Sequence, residues 1–338
     1  MRNKKIRFPR LTVLWIIMFL VIGIAAVRFF GLNDTGAFFN AGEERQYIAV
    51  IGKSDLSAFW ISVSSGARAA AAEYNLDMTF EAPSSEEDFE AQNEMIRNAI
   101  ANHASAIVFS AIDYNGNAEA INEAINARIP VIIIDSDVNC NLVSCRIMTD
   151  NYLAGRMAGE QAARNNDGNL VVGIVNYDVN SANGQQREQG FCDAISESGR
   201  VSQIYTVNCV STEESAYEGT TALLTEHPEI NTIAALNEFM SLGSGYAVRD
   251  LGVSDSVDIY AFDSNVVSVG MLETGEIEGL VVQNPYAMGY LGVEAAYNVV
   301  NGHPLHSDHI DTTTTYVSVS NMYEPNIQRM IFRFDDPS

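Results

Sequence analysis

Positive charge is scarce in this 338-residue chain, with 19 lysines and arginines against 43 aspartates and glutamates. Six of the basic residues (Arg2, Lys4, Lys5, Arg7, Arg10 and Arg28) fall in the first 30 positions, which hold no acid. The remainder therefore carries 13 basic residues against 43 acidic ones. Such a surface repels phosphate backbones and offers no basic footprint, which excludes DNA or RNA as a partner. Cysteine is scarce too. Cys140, Cys145, Cys192 and Cys209 form no C-x-x-C and have no paired histidines beside them, so a tetrahedral zinc site is not expected. Signatures of catalysis are missing. No G-x-S-x-G occurs, and Gly243-Ser244-Gly245 lies in a helical pattern rather than a strained strand-to-helix turn. The loop after the first apolar run reads GKSDLSAFW, without the G-x-G-x-x-G of a dinucleotide site. No cofactor is implied, and low-complexity segments and short-period repeats are absent.

What is present begins with a hydrophobic fraction of 47%, 9% of residues being aromatic, ample for packed cores. The basic start MRNKKIRFPR precedes the apolar run LTVLWIIMFLVIGIAAV, Leu11 to Val27. This reads as an export segment over residues 1–30, with its basic end in the cytoplasm and all that follows outside. The run is longer than a usual signal-peptide core and no strong small-x-small site follows it. An uncleaved membrane anchor is therefore expected, a cleaved signal peptide being the alternative. Residues 31–45, small and polar, suit a linker. The four cysteines agree with export. They permit three pairings, of which sequence proximity favours Cys140–Cys145 and Cys192–Cys209; four buried free thiols are the alternative.

From residue 47 on, one rhythm repeats. Short β-branched runs appear at 47–51, 105–109, 130–134, 169–175, 231–236, 256–262 and 278–283. Helical apolar spacing fills 58–74, 86–103, 116–127, 152–165, 182–198, 212–226, 238–251 and 285–301. Nearly continuous apolar strands alternating with helices predict an α/β chain with doubly wound parallel sheets covered on both faces. Ser84-Ser85-Glu86-Glu87 predicts a capped start for the second helix, with the acids of 86–90 in its first turn. Pro130 and Pro228 mark helix ends.

Ligands of open parallel sheets bind beyond the carboxyl ends of the strands. The residues there are polar: Lys53 to Trp60 after the first run, Ser110 to Asp113, Asp135-Ser136-Asp137, Asn237-Glu238, Asp263-Ser264-Asn265, and Gln283-Asn284. Carboxylates, amides and hydroxyls at six strand ends suit several ligand hydroxyls, and Phe59 or Trp60 could stack on a sugar face.

The stretches AFWISVSSGARAAA, IPVIIIDSDV, TDNYLAGRMAGE, QQREQGF, LLTEHPEINTIAALNE, YAFDSN and GLVVQNPYAMGYLGVEAA occur in this order. In them the chain, from about residue 46 to its end, resembles the type I periplasmic sugar-binding proteins, the ribose- and galactose-binding family that also supplies the core of LacI-type repressors. The resemblance implies two Rossmann-like lobes joined by a three-strand hinge, with crossings near 149–151, 283–285 and 311–313. The amino lobe would be 46–149 plus 284–311, and the carboxyl lobe 150–283 plus 312–338. It implies ligand contacts from Ser57, Phe59, Trp60, Asp135, Asn237, Asp263 and Gln283. Where ribose binders place an arginine after the aspartate, this chain has Ser136. The second sugar-contacting arginine of that group falls at Gln185, with Arg187 two places on. Both departures argue against assuming ribose.

The implied function is capture of a small polar ligand, a monosaccharide, by hinge closure, for an ABC permease or for a membrane sensor kinase. A non-sugar ligand (an amine, a nucleoside, an autoinducer-like molecule) is one alternative, and an extracellular carbohydrate-active enzyme is another. The enzyme reading lacks an acid/base pair, because Asp135 and Asp137 are alternate residues near a strand end and point in different directions. His303, His306 and His309 form the best metal-like run, but it lies in a polar loop where three-residue spacing need not converge.

Overall fold

The computed structural model describes residues 45–332. The expected membrane anchor at 1–30 and all but the last residue of the expected linker lie outside the described residues, as do 333–338. Among the described residues no helix is long and apolar enough to cross a membrane.

The first half opens with Tyr47–Ile51 (β1), Ala58–Glu73 (α1), Asp77–Glu81 (β2), Phe89–Ala101 (α2) and Ala106–Phe109 (β3). Ala118–Asn126 (α3), Val131–Ile134 (β4) and Cys145–Met148 (β5) follow. The second half contains Asn151–Asn165 (α4), Leu170–Asn176 (β6), Ala182–Glu197 (α5), Val201–Asn208 (β7) and Glu213–Glu226 (α6). It continues with Thr232–Ala235 (β8), Glu238–Leu251 (α7), Asp258–Phe262 (β9), Val266–Thr274 (α8) and Gly279–Val282 (β10). Pro285–Val300 (α9), His309–Asp311 (β11), Thr315–Val317 (β12) and Pro325–Ile331 (α10) end the described chain. The first sheet has the order β11-β5-β4-β3-β1-β2 and is parallel throughout. The second, β12-β10-β9-β8-β6-β7, is parallel except for the antiparallel β12. The chain passes between sheets three times: at 149–150, at 283–284 and at 312–314. Both sheets fall within one compact unit that begins at Gln46.

The strands read as apolar runs because both their faces are covered. On β1, Ile48 and Val50 pack with Val63 and Ala67 of α1 and Met288 and Val293 of α9. Ala49 and Ile51 pack on the other face with Ile96 of α2 and Ile121 of α3. The α1–α9 pair is unusually close: a Cβ on Gly66 would stand 2.0 Å from the Tyr286 carbonyl oxygen, and one on Gly289 2.0 Å from that of Val63. The second half repeats the device between α4 and α5, where a Cβ on Gly190 would meet the Tyr152 carbonyl oxygen at 2.1 Å. Only glycine permits such an approach.

Two expectations change here. The second helix does not start at Ser84 or Ser85. Its cap is Asp88, whose Oδ1 accepts from Ala91 N at 2.8 Å, and Glu86 stands free of the helix. The expected disulfides are not formed either, and all four cysteines are thiols. Cys145 packs on one face of the first sheet and Cys140 on the other, so the pair cannot meet. Cys140 donates to Asn122 Oδ1 and Cys145 to the Ser307 carbonyl, both at 3.5 Å. Cys192 lies on α5, whereas the Cys209 sulfur packs against Gly219 of α6. Burial pushes the Cys192 thiol up to about 11.

Candidate functional site

Strand ends of the two sheets face a common cleft and place equivalent aspartates in it. Asp135 follows β4 and Asp263 follows β9, the corresponding strand of the other sheet. Both adopt left-handed backbone, φ 57° and 68°, and both amides hook onto the neighbouring strand: Asp135 N to Ile147 O at 3.1 Å, Asp263 N to Val281 O at 3.0 Å. Aspartate tolerates this region better than most residues, and such conformations persist where the surroundings over-determine them. The turn aims each carboxylate into the cleft. Gln92, fully buried, fixes the neighbouring loops by donating to the carbonyls of Gly52 and Ser110.

The cleft closes over a small, partly open cavity. Its first-half walls are Lys53, Ser57, Phe59, Trp60, Glu86 and Asp135. Its second-half walls are Tyr177, Asn183, Arg187, Asn237, Glu238, Phe239 and Asp263, with Gln283 at a passage point. Asp135 accepts from Ser110 Oγ at 3.0 Å and from Asn183 Nδ2, across the cleft, at 3.3 Å. Lys53 Nζ stands 3.9 Å from Asp135 Oδ2 and donates to Ser181 Oγ at a limiting 3.5 Å, leaving donor capacity for an acceptor in the cavity. Burial works against the Lys53 ammonium, but Asp135 and further anions outweigh it and hold its pKa above the ordinary lysine value.

On the opposite wall Arg187 donates to Asn151 Oδ1 at 2.9 Å and to the Leu236 carbonyl at 2.7 Å, and lies 4.6 Å from the Phe262 ring centroid. Asp263 accepts from Gln283 Nε2 at 2.6 Å. Burial pushes its carboxyl up to about 6, against the opposing pull of Arg187 and the Gln283 hydrogen bond. Gln283 also accepts from Thr149 Oγ1 at 2.9 Å, which ties two of the three passages together. Glu86 takes a hydrogen bond from Trp60 Nε1 at 3.0 Å and, across the cleft, one from Ser211 Oγ at 2.8 Å. With the Tyr114 N to Asn180 O bond at 3.2 Å, these contacts hold the two halves together in a closed arrangement.

Residues 48–304 match the model of the periplasmic binding protein domain. The chain belongs to the periplasmic binding protein family. Among relatives of this binding protein is a D-ribose/D-allose-binding protein of Pseudomonas aeruginosa, 25% identical over 268 residues, which cover 77% of this chain and 83% of that one. A solved carbohydrate transporter solute binding protein from Agrobacterium radiobacter, in complex with D-arabinose, matches with a TM-score of 0.82 at 28% identity. That match covers 86% of this chain and 100% of that one. An ABC transporter solute binding protein from Agrobacterium vitis with bound D-fucose also gives 0.82, at 27% identity, covering 84% and 99%.

Of the residues expected at the site of this binding protein, Ser57, Phe59, Trp60, Asp135, Arg187, Asn237, Asp263 and Gln283 come together around the cavity. Two do not. Gln185 is exposed and donates to the Val179 carbonyl. Ser136 is buried off the cavity, its Oγ without a hydrogen-bond partner among the described residues. Trp60 differs from a free stacking platform, being 2% exposed and part of the first-half core. Lys53, Glu86, Tyr177, Asn183, Glu238 and Phe239 line the cavity without having been singled out. The strand-end rule applied to β6 points to Tyr177 and Asn183, and Lys53 and Glu238 stand in strand-end loops already noted. Nothing local marks Glu86, whose acidic run looks like a helix start. The histidine run converges on no metal site: among the described residues no group of three His, Cys, Asp or Glu side chains could hold an ion. His303 packs instead on the edge of the Tyr297 ring, at 5.7 Å.

Proposed function

We propose that this chain captures a neutral monosaccharide outside the cytoplasm and delivers it to an ABC permease. The observation that carries the reading is the cavity itself: buried aspartates at two equivalent strand ends, with an arginine, a lysine and amides, and with Phe59 and Trp60 in the same wall. A sugar offers donors and acceptors in one ring, and the wall offers acceptors (Asp135, Asp263) and spare donors (Lys53, Arg187) in return. Four carboxylates against two cations disfavour an anionic ligand. The named or bound ligands of the relatives, D-ribose, D-allose, D-arabinose and D-fucose, support a monosaccharide.

The lobes are 46–149 plus 284–311 and 150–283 plus 312–338, and closure is a hinge motion at the three passages. Residues 1–30 serve as a tether to the cytoplasmic membrane. A thermal-shift screen of the full-length protein against those four sugars, with amino acids and nucleosides beside them, tests the ligand. A sugar at one hundred times its dissociation constant adds about 2.7 kcal/mol of stability. Silence from every sugar, with a response to an amine or nucleoside, overturns it. Cross-linking in native membranes tests the partner: a permease is expected, and a sensor kinase in its place refutes delivery.

A further inference from the structure

Glu238 opens α7, beside the Asn237 whose side chain caps that helix by accepting from Met240 N at 2.9 Å. The Glu238 carboxylate crosses the cleft instead of serving its own helix. Ala58 N donates to Oε1 at 3.2 Å and Phe59 N to Oε2 at 3.1 Å, so both oxygens take amides from the first turn of α1. Asn265 Nδ2 pins Oε1 from the second half at 2.7 Å, and the residue is 7% exposed. The first amides of a helix have no intrahelical acceptor, and a carboxylate there also meets the positive end of the helix dipole. Ser57 Oγ caps only Trp60 N, at 3.3 Å. The two amides before it thus find their protein acceptor only when the halves are closed.

Position strengthens the point. Glu238 and Phe59, with Asp263 and Gln283, line both this cavity and a larger groove beside it. The pair joined by this bond is therefore part of the wall between the two spaces. No ligand atom is needed to make the contact.

We propose that Glu238 is a positioning residue that latches the wall formed by Phe59, setting how much closed form exists without sugar and how long a sugar stays once bound. The second half of this statement rests on the monosaccharide reading; the first half does not. Hydrogen exchange of the full-length protein without sugar tests the first. Glu238→Ala is expected to raise exchange selectively in the segment 56–62 and at the strand-end loops after β4 and β9, leaving the central strands protected. Glu238→Gln, which keeps one acceptor, is expected to fall between. Unchanged exchange at 56–62 overturns the proposal, and so does a rise spread evenly over both sheets, which is general destabilisation. Stopped-flow kinetics with whichever of D-ribose, D-allose, D-arabinose or D-fucose binds test the second. Dissociation is expected to speed up on the order of tenfold, as loss of charge-assisted hydrogen bonds implies, with association changed less than about twofold. A slower association with unchanged dissociation overturns it. If none of the sugars binds, only the ligand reading fails and the exchange result still decides the latch.

Discussion

Arg187→Ala is expected to cost roughly 3–5 kcal/mol of stability and to abolish measurable monosaccharide binding. Arg187 is 1% exposed, and its guanidinium faces four different dependants: Asn151 Oδ1, the Leu236 carbonyl, the Phe262 ring and the charge of Asp263. Truncation orphans two buried acceptors and removes the positive charge that draws the Asp263 carboxyl down, and buried groups left without partners are what make such a loss damaging. Arg187→Met keeps much of the stem packing and isolates the charge, so it recovers part of the stability but none of the binding. Urea unfolding followed by circular dichroism reads the first quantity and calorimetric titration the second. An alanine variant as stable as the parent, with unaltered affinity, would show that Arg187 is only a filler of the core.

Asp263→Ala is expected to weaken sugar binding on the order of a hundredfold, the upper end for a lost charge-assisted hydrogen bond in a buried site. Its titration gives this prediction a second arm. In the proposed complex a ligand hydroxyl donates to the ionised carboxylate, and burial pushes that carboxyl up to about 6. Affinity should therefore rise with pH through about 6 and flatten above about 7, with close to tenfold per pH unit on the acid side. The sugar-free protein behaves oppositely. Its folded carboxyl holds the proton more tightly than the unfolded chain does, so this group's stabilisation is complete below the unfolded value near 4 and is lost as pH rises through about 6. The shift in melting temperature on adding sugar should thus be larger at pH 7.5 than at pH 5, and Asp263→Asn should flatten the difference. Affinity that falls with rising pH would mean that the ligand accepts from a protonated Asp263.

Much of this was legible beforehand, for an identifiable reason. β1, β3, β4, β6, β8, β9 and β10 stand out as apolar runs because these strands are buried. β2 (DMTFE) and β7 (VSQIYTVN) did not, because each is an edge strand with much of its surface in solvent. β5, β11 and β12 are too short and mixed to show a period. The helix α8 (VVSVGMLET) is so uniformly apolar that it has no face to reveal it. At the site, Asp135 and Asp263 follow from the rule that ligands meet strand ends. Gln185 was misplaced because which helical residue faces the cleft depends on how α5 is rotated against α4, and that is set by the Gly155 and Gly190 contacts.

By itself, then, the order of residues determined the α/β class, the acidic surface and the polar strand ends, because each rests on local periodicity or on composition, whereas the division into two lobes came from the family resemblance. Only the tertiary structure decided that Glu86 leaves its helix for Trp60 and Ser211, that Glu238 caps a helix of the opposite half, and that Lys53 reaches Asp135. It also decided that the cysteines stay apart. These are pairings between residues up to 180 positions apart. Those that cross the cleft arise from the way the strand ends of the two sheets face each other, and no local pattern encodes the partner.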